Sequence, residues 1–295
     1  MKRSVITLLF ATALSAVPGP APKAALIRAE GSVDAMGSTY TVVIYGEQRE
    51  KLQAIVAQAL EEARRLDHLL SNYLPDSEWS EVNRFAAERP VPVSRELFDL
   101  LSACLEYSKE SEGAFDISVG PLMKVWGFYK GSGHLPHRAE VRGALANVGY
   151  QNILLDPKNQ TVRFSKPGVE LDPGGIGKGY AVDKIVDVIK ADGIGSALIS
   201  AAGSSIYALG APPGENGWKL AIKEPKHPRE TAATVELKDE SLSTSGNYEK
   251  YFFAEGKLYS HIMDPRSGYP SEGTLSVSVV APRTIDSEAW AKPYY

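Results

Sequence analysis

Residues 170–184 read Glu-Leu-Asp-Pro-Gly-Gly-Ile-Gly-Lys-Gly-Tyr-Ala-Val-Asp-Lys. The spacing predicts a glycine-dense turn that leaves a short strand at 168–171 and opens into an amphipathic helix over 179–192. Gly174, Gly175, Gly177 and Gly179 lack Cβ atoms, so backbone N–H groups here can come close to an anion. The start of the helix adds partial positive charge and Lys178 a full one. That combination points to a nucleotide or another phosphorylated ligand. It is not a P-loop, because Gly174 lies too close to Lys178 and Gly179 occupies the position of the required Ser or Thr. Nor does Gly-Gly-x-Gly-x-Gly match the fingerprint of dinucleotide-binding sheets. A tight turn without ligand is the plain alternative, against which Lys178 and the acidic pair Glu170 and Asp172 argue.

On either side of the turn, strands are predicted at 152–155, 161–164, 196–200, 218–222, 232–237, 241–245 and 275–280, with a hairpin over 251–262 that carries His261 at its end. Gly31 to Tyr45, alternating most clearly at Tyr40, Val42 and Ile44, reads as an edge-to-core hairpin strand. Glu47 to Leu70 is the strongest helical pattern, with Leu52, Ile55, Val56, Ala59, Leu60, Ala63, Leu66 and Leu70 at helical spacing. Ser94 caps a second helix bearing Leu97, Leu100, Leu101, Cys104 and Tyr107. Residues 130–140 read as a surface loop. Strands and helices do not alternate regularly, which favours an α+β fold, and no linker or repeat divides it.

The chain has 295 residues, 43% hydrophobic and 23% charged, with a formal net charge of −4. No basic run stands out, which excludes a nucleic-acid binder. Lys2 and Arg3, an apolar run from Val5 to Val17 and then Pro18-Gly19-Pro20 have the build of a secretory signal over 1–24, with cleavage expected between Ala16 and Ala25. The run is too short for a stable membrane anchor, so membrane association is expected only through an uncleaved signal or a partner. The mature unit is then 25–295, exported to the periplasm or cell envelope. Cys104 is the sole cysteine, so no internal disulfide can form, and its leucine neighbours predict a buried structural thiol.

Further clusters join the glycine turn: Met36-Gly37-Ser38-Thr39-Tyr40, Ser71-Asn72-Tyr73, Asp116 to Leu122 with Trp126-Gly127-Phe128, Ser245 to Glu249, and His261-Ile262-Met263-Asp264-Pro265-Arg266-Ser267-Gly268. In this order they resemble the ApbE family, the FAD:protein FMN transferases of bacterial envelopes, from about residue 31 to residue 292. The resemblance implies one compact α+β domain that binds FAD at the glycine turn. It also implies Mg²⁺-dependent transfer of FMN from FAD to a Thr or Ser hydroxyl of an acceptor flavoprotein, a redox subunit, with AMP leaving. His261 matches the family's histidine before the Asp-Pro-x-x-Gly turn, as general base or as orienter of the acceptor; the plain alternative is a histidine that caps the Asp264 turn. Met36 and Tyr73 match flavin positions. Lys178 and Asp116 fall nearer the diphosphate and adenosine, with Lys178 also catalytic, and Glu170, Asp172, Gly175 and Ser205 complete the cofactor surface. The metal is expected between the backbone near Gly177 and a C-terminal carboxylate, Glu288 or alternatively Asp286. His134 and His137, though spaced His-x-x-His, have no further ligand cluster and are expected to be exposed. His68 and His227 carry no motif.

Three departures matter. Where the family has Ala-Asp-Ala-x-x-Thr-Ala, this chain has Ser287-Glu288-Ala289-Trp290-Ala291-Lys292, and an ammonium cannot replace a hydroxyl on a cation because it only donates. Gly203-Ser204-Ser205 stands in place of Gly-Gly-Asp or Gly-Gly-Asn. The sequence stops at Pro293-Tyr294-Tyr295, which reads as a cut inside a core strand. Three functions stay open: a transferase with altered metal ligation in which Lys292 itself neutralises phosphate charge, a pyrophosphatase giving FMN and AMP, and a non-catalytic FAD-binding envelope protein.

Overall fold

The computed structural model describes residues 25–131, 133–227 and 229–295. The expected signal peptide, residues 1–24, and its cleavage bond lie outside them. The chain opens with an antiparallel hairpin of β1 (Ile27–Ala35) and β2 (Ser38–Gly46), so the single strand expected over 31–45 is the second half of one strand and most of another. Met36 and Gly37 turn it, both at positive φ (54° and 65°). Positive φ at two central residues suits the right-handed twist of a hairpin, but it strains a long side chain such as Met36.

The 22-residue α1 (Arg49–Leu70) follows. Its first turn has no side-chain cap, so its stability comes from the buried stripe of Leu52, Ile55, Val56, Ala59, Leu60, Ala63, Leu66, Leu69 and Leu70. Next come α2 (Glu78–Phe85), the short β3 (Val91–Pro92) and α3 (Arg95–Glu110). Ser77 and Ser94 cap the two helices by accepting from Ser80 N–H and Leu97 N–H. Then α4 (Gly120–Val125), α5 (Arg138–Leu145), β4 (Ile153–Asp156) and β5 (Thr161–Phe164) complete a smaller layer with the sheet order β3-β5-β4. The loop expected over 130–140 therefore runs into α5 at Arg138. Cys104 is buried, and burial pushes its thiol well above the ordinary range, as a structural thiol requires.

Residues 168–171 are not a strand, although Val169 and Leu171 are buried. The reason is competition for the backbone. Asn83 accepts from Leu171 N–H and donates to Leu171 C=O at 2.7 and 2.9 Å, doing with one side chain what a neighbouring strand would do. Asp172 N–H goes to Ile117 C=O at 2.7 Å and Glu170 C=O accepts from Gly120 N–H at 3.2 Å.

After the turn, α6 (Gly177–Ala191) starts two residues earlier than its pattern predicts. β6 (Ala197–Ala201) falls where the sequence puts a strand and leads into β7 (Ser205–Leu209), a strand the sequence reading does not include; β8 (Trp218–Lys223), β9 (Thr231–Leu237), β10 (Glu240–Gly246), β11 (Tyr251–Ala254), β12 (Lys257–Ser260) and β13 (Ser276–Ala281) again fall where strands are expected. The main sheet has six strands, ordered β1-β2-β6-β7-β10-β13 with each neighbouring pair antiparallel. α1, α6 and a helix absent from the sequence reading, α7 (Thr284–Trp290), pack against it. The β8–β9 hairpin packs Trp218 and Leu237 with Val43, Ala208 and Leu242 in a separate apolar cluster. Past α7 the chain forms a turn, with Tyr295 N–H on Lys292 C=O at 3.1 Å, so the expected core strand at Pro293-Tyr295 does not form. The architecture is α+β, as expected.

Candidate active site

Two glycine-containing turns at positive φ, Met36-Gly37 and Ala202-Gly203, lie on one wall of a cleft of about 540 Å³. The C-terminal end of α1, Phe128 and Tyr129, the start of α6, the end of β10, the residues after β12, and Glu288 and Lys292 at the end of the chain also line it. Strain kept at a cleft rather than relieved is common where a site needs a fixed backbone. Of the expected residues, Met36, Tyr73, Asp172, Gly177, Lys178, Ser205, His261 and Glu288 face this cleft. Asp116 and Gly175 line a smaller adjoining cavity of about 80 Å³, which shares Asp172, His261 and Lys292 with the first.

Glu170 and Asp286 line neither cavity. Glu170 pairs with Lys124 at 2.5 Å. Asp286 is held by Arg283 and by the Tyr107 hydroxyl, partners that keep its carboxylate below the ordinary range against the opposing effect of burial. Its expected role as a metal ligand is corrected on that ground. Asp116 has a structural task that local sequence does not reveal. It accepts from Ser118 N–H, Ser118 Oγ and Tyr150 N–H at 2.8, 2.7 and 2.7 Å, which ties two segments together behind the small cavity.

The glycine turn is less open than its composition suggests. Gly174 N–H binds Asp172 at 2.8 Å, Ile176 and Gly177 N–H both reach Pro173 C=O, and Gly179 N–H goes to the Glu288 carboxylate. These amides are committed within the protein and form no free cradle. Gly179 is required for a different reason. A Cβ there would sit 2.5 Å from Thr284 C=O and 2.9 Å from Glu288 Oε2, so only glycine lets α6 and α7 approach this closely. The two helices cap each other. Glu288, buried in α7, accepts at the N-terminus of α6, and Asp183 in α6 accepts from Thr284 and Ile285 N–H at 2.7 and 2.9 Å at the N-terminus of α7. Asp183 escapes sequence reasoning because its partners lie more than a hundred positions away.

Positive charge gathers around His261. Lys178 donates to Ser204 Oγ at 2.5 Å and Lys292 to Ser245 Oγ at 2.9 Å, so the departure at Gly203-Ser204-Ser205 supplies the hydroxyl that holds Lys178. Burial is the main cause that pulls the Lys292 ammonium down to about 8, with Lys178 adding repulsion and Glu288 opposing both. The carboxylates on the cleft wall are Asp67, at the Met36 end, Asp172, Glu249 and Glu288. Burial raises Asp172 above the ordinary carboxylate range.

His261 does not cap the Asp264 turn. Its ring Nδ1–H and its backbone N–H both donate to Lys250 C=O, each at 3.0 Å, while Asp264 is occupied by Arg266. Burial pushes the imidazole down to about 4, and Lys292, Lys250 and Lys178 push the same way. The ring is thus neutral near pH 7, and its Nε2 lone pair makes no hydrogen bond among the described residues. The hairpin that carries it is fixed by aromatic packing: Phe252 stacks on Tyr259 at 5.3 Å, Tyr259 lies 5.4 Å from Trp126, and Trp126 Nε1–H donates to Gly268 C=O at 3.0 Å. This explains the Trp126-Gly127-Phe128 cluster. His134 and His137 are exposed, as expected. Tyr73 is 73% exposed at the rim, edge-on to Tyr129 at 6.3 Å.

The expected magnesium site can be tested on its donors. Glu288 already accepts Gly179 N–H, Asp286 is turned away, and the position expected to offer a hydroxyl carries the Lys292 ammonium. Among the described residues, no three His, Cys, Asp or Glu side chains converge. Magnesium asks for several oxygen donors in an octahedron, and this set does not fit it.

A model of the ApbE family matches residues 36–295. The chain is 33% identical over 260 residues to an FAD:protein FMN transferase of Klebsiella pneumoniae, covering 86% of this chain and 78% of that one. It is 33% identical over 257 residues to the FAD:protein FMN transferase of Treponema pallidum, covering 81% and 71%. The crystal structure of the ApbE protein from Thermotoga maritima matches with a TM-score of 0.84 at 31% identity, over 90% of this chain and 86% of that chain. The apo Pseudomonas stutzeri flavinyl transferase ApbE matches at 0.80 and 31%, over 91% and 84%. With the motifs in order, the fold matched and the family model spanning almost all described residues, this chain belongs to the ApbE family.

Proposed function

We propose that this protein is an FAD:protein FMN transferase that moves FMN from FAD onto a Thr or Ser hydroxyl of an acceptor flavoprotein and releases AMP. The observation that carries the reading is His261: a neutral imidazole anchored through Nδ1–H, with Nε2 free in a cleft flanked by Lys178 and Lys292. The names of the Klebsiella and Treponema relatives support it.

In the proposed reaction the acceptor oxygen attacks the FMN-side phosphorus of FAD. A new P–O bond forms, the phosphoanhydride bond breaks, and AMP leaves with the bridging oxygen. His261 Nε2 takes the hydroxyl proton, which makes the oxygen a competent nucleophile. Lys178 and Lys292 offset the charge that grows on the departing phosphate. Met36 and Tyr73 offer apolar and aromatic surface to the isoalloxazine. Magnesium, which the family resemblance implies, does not fit the donor set above, and no step is routed through it. Export to the periplasm or envelope, and a redox subunit as acceptor, belong to the same proposal; Lys2, Arg3 and the apolar run after them support the first.

The test is intact mass spectrometry of a Thr-containing acceptor domain incubated with the protein and FAD. A gain of one FMN supports the reading. Release of FMN and AMP with no change in acceptor mass sinks it in favour of a pyrophosphatase, and bound FAD with no turnover favours a carrier.

A further inference from the structure

Lys292 is held from three sides. Its ammonium donates to Ser245 Oγ at 2.9 Å at the end of β10. Its stem runs beside Gly175, where an added Cβ would lie 3.8 and 4.0 Å from Lys292 Cε and Cγ. Its backbone continues from α7, whose start is fixed by Asp183 and whose middle is fixed by the Glu288 bond to Gly179 N–H; Lys292 N–H itself reaches Ala289 C=O at 3.3 Å. Lys292 also borders both cavities, so it stands at their junction. Lys178, on Ser204 Oγ, provides a second ammonium from the facing turn. Two fixed ammonium groups carry the same total charge as one divalent ion, and each brings N–H donors to phosphate oxygens.

We propose that the Lys292 ammonium, paired with Lys178, takes the place of a divalent cation at the FAD diphosphate, so that this protein binds FAD and transfers FMN without bound metal. The proposal rests on the transferase reading. It changes none of the atoms exchanged: the hydroxyl proton still goes to His261 and AMP still carries the bridging oxygen. What changes is the source of the positive charge, a side chain instead of an ion.

The experiment uses the full chain after dialysis against EDTA, with Mn²⁺ as a spectroscopic stand-in for magnesium. Three quantities are read: Mn²⁺ bound, by electron paramagnetic resonance in the presence of FAD; FAD affinity, by flavin fluorescence; and FMN transfer, by acceptor mass. For the native protein the expected results are no stoichiometric Mn²⁺ site, and transfer and FAD affinity in EDTA within about twofold of those in Mg²⁺. Lys292→Met should lose transfer by about 100-fold or more whether or not Mg²⁺ is present, the size seen when one electrostatic donor to a transition state is removed. Lys292→Thr should lose it by a similar factor in EDTA, recover in Mg²⁺ and acquire a Mn²⁺ signal. Retained melting temperature in both variants separates these losses from misfolding. One Mn²⁺ bound per native chain, or native transfer abolished by EDTA and restored by Mg²⁺, overturns the proposal. If no acceptor gains FMN under any condition, the transferase reading falls on its own, while the Mn²⁺ and FAD measurements still decide Lys292: a bound ion counts against the proposal, and ion-free FAD binding lost in Lys292→Met counts for it.

Discussion

The glycine turn at 173–179 and the C-terminal segment from Thr284 to Lys292 face each other across Gly179, yet they differ in what their polar groups are free to do. The turn announces itself in sequence, but its amides are largely committed to Asp172, Pro173 and Glu288. The C-terminal segment stands out in sequence only by its departure from the family signature, and it sends its last charge, Lys292, into the cleft. The difference teaches that a glycine motif can owe its glycines to helix packing while the chemistry rests on the side chains that the packing aims. Lys178 is the one member of the turn on the chemical side of that division.

The largest effect that could break this view is on His261. His261→Ala should leave FAD bound and lower transfer by about 10²–10⁴-fold, the usual span for losing a general base; unchanged single-turnover transfer would remove the imidazole from the mechanism. A pH profile sharpens the same point. For a base, activity is lost as pH falls through its own pKa. His261 is held down to about 4, so the acid limb of kcat/KM for the free protein should lie near pH 4. An unperturbed imidazole would already cost about thirtyfold at pH 5. A limb near 6.5 would mean that burial, with the three lysines beside it, does not act on the ring as described. The sign for stability is the same: a base with a depressed folded pKa takes protons preferentially in the unfolded chain between the two values, so stability falls on acidification through that window.

The packing side of the comparison is tested next. Gly179→Ala forces a methyl against Thr284 C=O and should cost about 1–3 kcal/mol in denaturant unfolding. A neutral result would return Gly179 to the role of anion cradle. Asp183→Ala removes the cap on α7 and should cost about 1–2 kcal/mol, with a parallel loss of transfer as Lys292 loses its footing. The smallest effect is expected at Asp286→Asn, where the partly exposed pair with Arg283 is worth roughly 0.2–1 kcal/mol and transfer should stay within about twofold. A large loss of transfer there would restore Asp286 to the site.

The sequence by itself determined what repeats locally: α1 and α6 from helical spacing, most strands of the main sheet from alternation or short apolar runs, and Lys178 from the glycine turn, while His261 and Glu288 were placed by the resemblance to the ApbE family. Such patterns report burial and turn chemistry within a few residues, which is why they survive without any knowledge of neighbours. The tertiary structure decided everything that depends on a distant partner. Residues 168–171 have the apolar content of a strand, but the backbone of Leu171 pairs with the side chain of Asn83. Asp286 and Glu288, two residues apart, part ways because one meets Arg283 and Tyr107 and the other meets Gly179 N–H. Helix α7 gives little periodic signal in its seven residues and is secured by Asp183, about a hundred residues earlier. A hydrogen bond is satisfied by whichever group the fold delivers to it, and the one-dimensional pattern carries no record of which group that is.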